Sequence, residues 1–426
     1  MSGPPQVVVL STLDTKGAEA AHVAGLLARR GLGACLMDVG TRGRPSCRPH
    51  VDREQVAAAA GFDLTAASTL RRDETMKRMG EGAGRLLAQG FAEGRYQGVI
   101  ALGGNQGTAI AGIAFQRLPL GVPKLVVSTV ASGNLRPYFG HKDVAVLFSV
   151  ADLLGGPILF SRPILEAATA AIAGMVTSAE PFPRGDGRAV AVTAFGNTHA
   201  AVTAARSLLG ERGDEVVAFH ASGAGGSAME ELIEAGVFSA VLDLTTHELV
   251  GEVFGQDIYT PTRSGRLCAA AQRGLPQIFA PGGLDYFCFG PAETIPLAYR
   301  DRAVHHHNPF NTNVRTNAAE LRQLAEVVAA RLNDAPPGSA AVLYPAKGWS
   351  EVGSRGGPLY DPEANRAFLE SLRARLSSSV ELHWVDATIN DRAFVQKAVE
   401  TLARLRAQTR ARASAGERPW PAPECI

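Results

Sequence analysis

The sequence predicts an α/β protein of two Rossmann-like three-layer domains with mainly parallel sheets and a ligand cleft between them. Three observations predict it. Apolar runs of strand length alternate with segments of helical spacing; a breaker cluster, Pro181, Pro183, Gly185 and Gly187, interrupts the pattern, which then restarts; and 426 residues suit two domains of roughly 100–200 residues each. The expected limits are 1–182 for an N-terminal nucleotide-binding domain, 186–408 for a C-terminal domain and 409–426 for a disordered Arg/Ala/Pro-rich tail.

In the first half, Val7-Val8-Val9-Leu10-Ser11-Thr12 has the continuous apolar character of a strand buried on both faces. Ala20, Val23, Ala24 and Leu27 follow at helical spacing, Gly31 and Gly33 close that helix, and residues 34–39 give a second strand. Further strands are expected over 98–102, 125–129 and 144–148, and helices over 75–91, 109–115 and 164–176. In the second half a strand is expected over 188–195, a helix over 200–210 and a strand over 215–221. Leu26 then aligns with Leu208 and Gly31 with Gly213, a constant offset of 182 residues, which points to an internal duplication. Helices over 317–332, 362–376 and 391–408 and strands over 341–344 and 380–385 complete the second half.

Lys and Arg number 42 against 41 Asp and Glu, so no global field favours nucleic acid or a membrane surface. The five cysteines form no C-x-x-C pair and predict neither a disulfide framework nor a zinc ribbon. There is no signal-peptide pattern and no apolar stretch of membrane-spanning length, so a cytoplasmic location is expected. The surplus is glycine, 46 of 426 residues against roughly 7% in average proteins. Its clusters follow strands, where ligand-cradling turns belong.

The strongest cluster is Leu102-Gly103-Gly104-Asn105-Gln106-Gly107-Thr108. Glycine there lets the backbone approach a phosphate, and the Thr108 hydroxyl offers a donor or an Mg²⁺ contact, although neither a Walker A loop nor a dinucleotide fingerprint is present. Ser128-Thr129-Val130-Ala131-Ser132-Gly133 places hydroxyls and small residues after another strand. At the first strand–helix junction Asp14, Thr15 and Lys16 offer a helix cap or metal contact and a phosphate-neutralising cation, and Asp38 ends the second strand in a ribose-binding position. In the second half, His220 with Gly223, Gly225 and Gly226 leads into a helix carrying Glu230; Asp243, Asp285 and the Lys347-Gly348 pair follow later strands. His305-His306-His307-Asn308 with Arg315 and Thr316 is read as a polar loop, open to hydrogen bonding or to metal ligation without a recognised zinc spacing. No catalytic Cys–His pair is evident, and Cys288 reads as a packed thiol.

Taken together, these motifs resemble the tobamovirus-resistance-protein-like (Tm-1-like) ATP-binding domain family, which includes uncharacterised bacterial relatives. The shared elements are Asp14-Thr15-Lys16, residues 98–104 with Gly107-Thr108, Ser128-Thr129-Val130-Ala131-Ser132-Gly133, Phe219-His220-Ala221, Leu284-Asp285, His305, His307-Asn308, Arg315-Thr316, Lys347-Gly348 and Tyr360-Asp361-Pro362-Glu363. The resemblance implies a binder of ATP and Mg²⁺ whose contacts are the two N-terminal loops. Asn105 stands where that family has a small residue, and His306 replaces an acidic one.

Two functions remain open. One is an enzyme binding ATP–Mg²⁺ through Asp14, Thr15, Lys16, Asp38, Gly103, Gly104, Asn105, Gly107, Thr108, Ser128, Thr129, Ser132 and Gly133. Its small carboxylate substrate would be held by Arg315, Lys347 and neighbouring C-terminal residues, with Lys16, His305 and His307 as catalytic groups. The other is a nucleotide-sensing module without chemistry. A homo-oligomer is expected in either case, with no nucleic-acid or membrane partner.

Overall fold

Five strands of the first half pair in parallel: β1 (Gln6–Ser11), β2 (Gly33–Asp38), β3 (Gly98–Gly103), β4 (Lys124–Ser128) and β5 (Ala145–Phe148), in the order β2-β1-β3-β4-β5. This computed structural model describes residues 3–65, 69–157, 159–178, 180 and 187–414. The chain divides into two units, Met1–Phe182 and Pro183–Ile426.

Because successive side chains of a strand face opposite sides, β1 feeds two cores. Val8 and Leu10 pack with Met37, Val99 and Val126 against helices Arg53–Ala59, Arg72–Ala92 and Asn105–Phe115. Val7 and Val9 pack with Ile100, Leu102 and Val127 against helices Leu13–Arg29 and Ser161–Ser178. The result is helix, sheet and helix in three layers. Strand order reverses between β1 and β3, which makes their carboxyl ends the switch point where ligands of open α/β sheets bind.

The second unit repeats this order. Its six-stranded parallel sheet consists of β6 (Ala189–Ala194), β7 (Glu215–His220), β8 (Ala240–Thr245), β9 (Gln277–Gly282), β13 (Ala340–Pro345) and β14 (Glu381–Val385), ordered β14-β13-β9-β8-β6-β7. Counted from its own first strand, it carries the order 2-1-3-4-5 of the first sheet plus one added edge strand. The offset of 182 residues read from the sequence carries β2 onto β7, Gly33 to Glu215 and Asp38 to His220.

Several expectations are corrected. The residues after Ala303 are not a loop: β11 (Val304–Asn308) and β12 (Asn311–Arg315) join β10 (Tyr286–Phe289) in a separate antiparallel sheet, β10-β12-β11. The last helix, Arg392–Ser414, continues past the expected tail boundary, so residues 409–414 are helical, while 415–426 lie outside the described residues. Pro181, Pro183 and Gly185 of the expected linker also lie outside them. No helix among the described residues is long and apolar enough to cross a membrane.

Two glycine substitutions separate close packing from helix propensity. A Cβ on Gly226 would fall 1.7 Å from Glu248 Oε2 and 2.6 Å from Arg266 Nε, all in the interior. Gly174 lies in helix Ser161–Ser178 with nothing within 4 Å of such a Cβ. Gly226→Ala is therefore expected to lose roughly 1–3 kcal/mol or more through overpacking. Gly174→Ala should gain about 0.5–1 kcal/mol. Urea unfolding of the two variants beside wild type checks both signs.

Candidate functional site

At the carboxyl edge of the first sheet, helix Asn105–Phe115 starts two residues beyond the last residue of β3, with Gly104 as its N-cap and no side chain capping it. The unpaired first-turn N–H groups of such a helix suit an anion. Gly103 is required by close approach, since a Cβ there would lie 2.7 Å from Gly107 Cα. A Cβ on Gly104 would point at Thr129 Oγ1, 3.2 Å away, so any side chain there enters the space before the helix. Ser132 and Gly133 are exposed on the loop after β4. Asn105 Oδ1 accepts from Tyr138 Oη at 2.7 Å, and Gln106 Oε1 accepts from Arg72 Nη2 at 2.8 Å. Arg72 also lines a hollow of about 400 Å³ with Thr41, Arg42 and Thr75.

Several expected contacts are turned inward. Thr108 and Ser128 are fully buried and share a 2.7 Å hydroxyl–hydroxyl bond, and Ser128 Oγ also accepts from Val130 N, so both hydroxyls are engaged within the protein. The buried Lys16 ammonium donates to the Leu153 carbonyl and lies 3.8 Å from Asp152, so it does not project as a catalytic cation. Asp38 Oδ1 accepts from Leu13 N at 3.0 Å and Gly40 N at 2.9 Å, which makes it a cap for helix Leu13–Arg29. Burial pushes the Asp38 carboxyl above its usual range, and the nearby Asp14 charge adds to this. Asp14 differs. Its Oδ1 is buried without a hydrogen-bond partner, and Gly40 and Gly43 leave room beside its carboxylate, where Cβ atoms would come within 3.3 and 3.0 Å of its oxygens. Thr15 Oγ1 lies 2.9 Å from Thr12 Oγ1, exposed beside it.

In the second unit the helix start after β7, the counterpart of β2, is filled from within. Helix Ala224–Glu234 begins inside the glycine cluster, with Gly225 and Gly226 in its first turn, and Glu248 Oε1 accepts from Gly223 N at 2.6 Å and Gly226 N at 3.0 Å. Glu230, expected to face substrate, instead accepts from Leu267 N at 2.7 Å and Ala269 N at 2.9 Å, capping helix Cys268–Gln272. Both carboxylates and Asp243 converge on the fully buried Arg266, with N–O distances of 2.6 Å to Glu230, 2.7 Å to Glu248 and 2.9 Å to Asp243. Burial pushes the Glu230 and Asp243 carboxyls up, opposed by the Arg266 charge.

Other expected substrate ligands are also internal. Arg315 Nη1 donates to Asp285 O at 2.6 Å, and Nη2 to Asp361 O at 3.0 Å and Asn365 Oδ1 at 2.5 Å. Asp285 Oδ2 accepts from Ser350 Oγ at 2.6 Å, and Thr316 Oγ1 donates to Leu284 O at 2.9 Å. Lys347, exposed beside Gly348, pairs with Asp386 at 3.0 Å. His305 and His307 share one side of strand β11, with ring centroids 6.1 Å apart, and Asn308 caps the hairpin turn through Phe310 N. Burial and then the His307 and His306 charges hold the His305 imidazole below its ordinary range.

What does gather at the carboxyl ends of β6 and β7 is a cavity of about 530 Å³ lined by Phe195, Asn197, His199, His220, Glu351 and Asn390. Behind it Phe195 stacks on His247, with centroids 5.0 Å apart and planes at 14°. His247 Nδ1 donates to Gly283 O at 2.7 Å, and Nε2 lies 3.1 Å from Asp257 Oδ2. Burial alone would lower the His247 pKa, but Asp257 and then Cys288 carry it well above its ordinary value. Sequence reading singled out neither Arg266 nor Asp257, because nothing in their local spacing signals partners that only the fold supplies.

Residues 5–181 match the N-terminal domain, and residues 188–406 the C-terminal domain, of the Uncharacterised protein family (UPF0261). A UPF0261 protein of Clostridium tetani is 36% identical over 391 residues, covering 91% of this chain and 96% of its own length. The ToMV resistance protein Tm-1(GCR237) of Solanum lycopersicum is 36% identical over 320 residues, 74% of this chain but only 42% of the tomato protein. Among solved structures, a UDP-GlcNAc 2-epimerase of Methanocaldococcus jannaschii gives a TM-score of 0.21 at 8% identity, covering 64% of this chain and 83% of its own, a likeness that carries no argument.

Arg266→Leu removes the single guanidinium facing three buried carboxylates. The expected loss is about 3–5 kcal/mol, the usual cost of leaving a buried ion without its partner. Chemical denaturation measures it, with Arg263→Leu as control, since Arg263 pairs with Glu234 at the surface and its loss should cost at most about 1 kcal/mol.

Proposed function

The chain belongs to the uncharacterised protein family UPF0261, and from that premise we propose that it is a cytoplasmic, homo-oligomeric ATP–Mg²⁺-binding enzyme acting on a small carboxylate metabolite. The observation that carries the nucleotide half is the uncapped start of helix Asn105–Phe115 at the switch point of the first sheet, reached by a glycine backbone and flanked by Thr129. Polyphosphate oxygens accept from those N–H groups, and Arg42 and Arg72 in the adjoining hollow supply positive charge. The donor set also fits Mg²⁺, a hard cation that takes oxygen ligands. The unpartnered Asp14 Oδ1 is such an oxygen, whereas the hydroxyls of Thr108 and Ser128 are committed to each other. When bound, Mg²⁺ would neutralise phosphate charge.

For the metabolite, the cavity at the ends of β6 and β7 offers His199, His220, Asn197 and Asn390 as donors to a carboxylate. They take the place of the expected Arg315, whose guanidinium is engaged by the protein itself. His220 and His199 are the side chains there suited to moving a proton. The second reading, a nucleotide sensor without chemistry, is favoured by one observation: Lys16, Asp285 and Arg315, expected to act on substrate or phosphate, are all tied into the interior.

Calorimetric titration of the full chain with ATP and Mg²⁺ tests the first half. Gly104→Asp, which puts a carboxylate before the helix, should weaken binding at least about tenfold, ~1.4 kcal/mol, and Asp14→Asn should reduce the dependence on Mg²⁺. Absence of ATP binding by wild type would sink the reading. A panel of small organic acids with ATP tests the second half: turnover lost in His220→Ala supports the enzyme, while ATP-dependent assembly without phosphate release supports the sensor.

A further inference from the structure

We propose that His247, Asp257 and Cys288 form a binding site for a single zinc ion beneath the cavity of the second unit. The three side chains come from separate elements. His247 is the N-cap of helix Glu248–Phe254, Asp257 lies in the loop after it, and Cys288 belongs to β10 of the antiparallel sheet. All are buried, and their ligand atoms lie within 4.8 Å of one another. The 3.1 Å between His247 Nε2 and Asp257 Oδ2 is close to the edge of a zinc tetrahedron with bonds of about 2.0–2.2 Å.

Two further features point to a metal. His247 donates Nδ1–H to the Gly283 carbonyl at 2.7 Å, the outer contact that metal-ligating histidines make, and this directs Nε2 into the cluster. Asn313, opposite Cys288 in the β10–β12 register, places Nδ2 3.1 Å from the sulfur, a donor set for a thiolate. Its Oδ1 is buried without a hydrogen-bond partner, an unsatisfied polar atom on the residue beside the sulfur. A Cys, His, carboxylate set selects zinc over the hard cations Mg²⁺ and Ca²⁺.

Charge and protons balance. Zn²⁺ displaces the thiol proton of Cys288 and the proton on His247 Nε2 to solvent, and thiolate and carboxylate then neutralise the divalent charge. Phe195, Tyr259 and Tyr286 surround His247, with centroids 5.0, 6.1 and 5.1 Å away, and exclude water from the site. The ion would lock helix Glu248–Phe254 to the antiparallel sheet and, through Phe195, set the inner wall of the cavity.

The test uses the full chain expressed with zinc and analysed by mass spectrometry, then stripped and titrated with Co²⁺. About one zinc per chain is expected, together with a thiolate-to-cobalt charge-transfer band in the wild-type titration. In Cys288→Ser and His247→Gln metal content should fall at least about tenfold, while Cys47→Ser, at a free thiol in the other unit, should keep it. The wild-type spectrum decides the matter even if a site variant fails to fold. Wild type that takes up neither ion, a cobalt complex without the thiolate band, or zinc retained by Cys288→Ser would each overturn the proposal.

Discussion

One buried guanidinium holds the second unit together. Arg266 is wholly inside, where an isolated charge could not stay, and its donors are divided among Glu230, Asp243 and Glu248. Each carboxylate has a second task. Glu248 binds the amides that open helix Ala224–Glu234, Glu230 binds those that open Cys268–Gln272, and Asp243 accepts from Thr193 Oγ1, which joins β8 to β6. Two helix starts and two adjacent strands thus depend on one side chain. Gly226 must be glycine because the ion cluster occupies the volume where its Cβ would be.

The same strand order therefore serves two ends. In the first unit the helix start after β3 carries no side-chain cap, and space remains before it. In the second, an internal carboxylate takes the amides that open the helix after β7, and a cavity lies at the ends of β6 and β7. A parallel sheet brings helix N-termini to its carboxyl edge in every repeat. Whether that edge receives a ligand depends on what the protein itself places there.

The fold was largely legible in the sequence, since strands buried on both faces read as unbroken apolar runs such as Val7-Val8-Val9-Leu10, and helices by their spacing. The antiparallel sheet was not. Its strand β11, Val304-His305-His306-His307-Asn308, is polar and partly exposed, and a polar strand resembles a loop until its partner β12 is known. The candidate sites were legible as positions but not as roles. Gly104 precedes a helix start without a side-chain cap and Asp14 has an unpartnered oxygen, whereas Thr108, Lys16 and Arg315 are bonded inward.

By itself the sequence determined the α/β class and the glycine-bearing strand ends, because these follow from periodicity and from local backbone requirements. Tertiary structure alone decided which polar groups face one another in the interior and which stay free of such partners. His247, Asp257 and Cys288 are separated by up to 41 positions in the chain yet share one buried cluster; Arg266 meets carboxylates from three elements. A hydrogen bond or ion pair depends on distances of a few ångströms in space, and between residues far apart in sequence only the packing of the sheets and helices sets those distances.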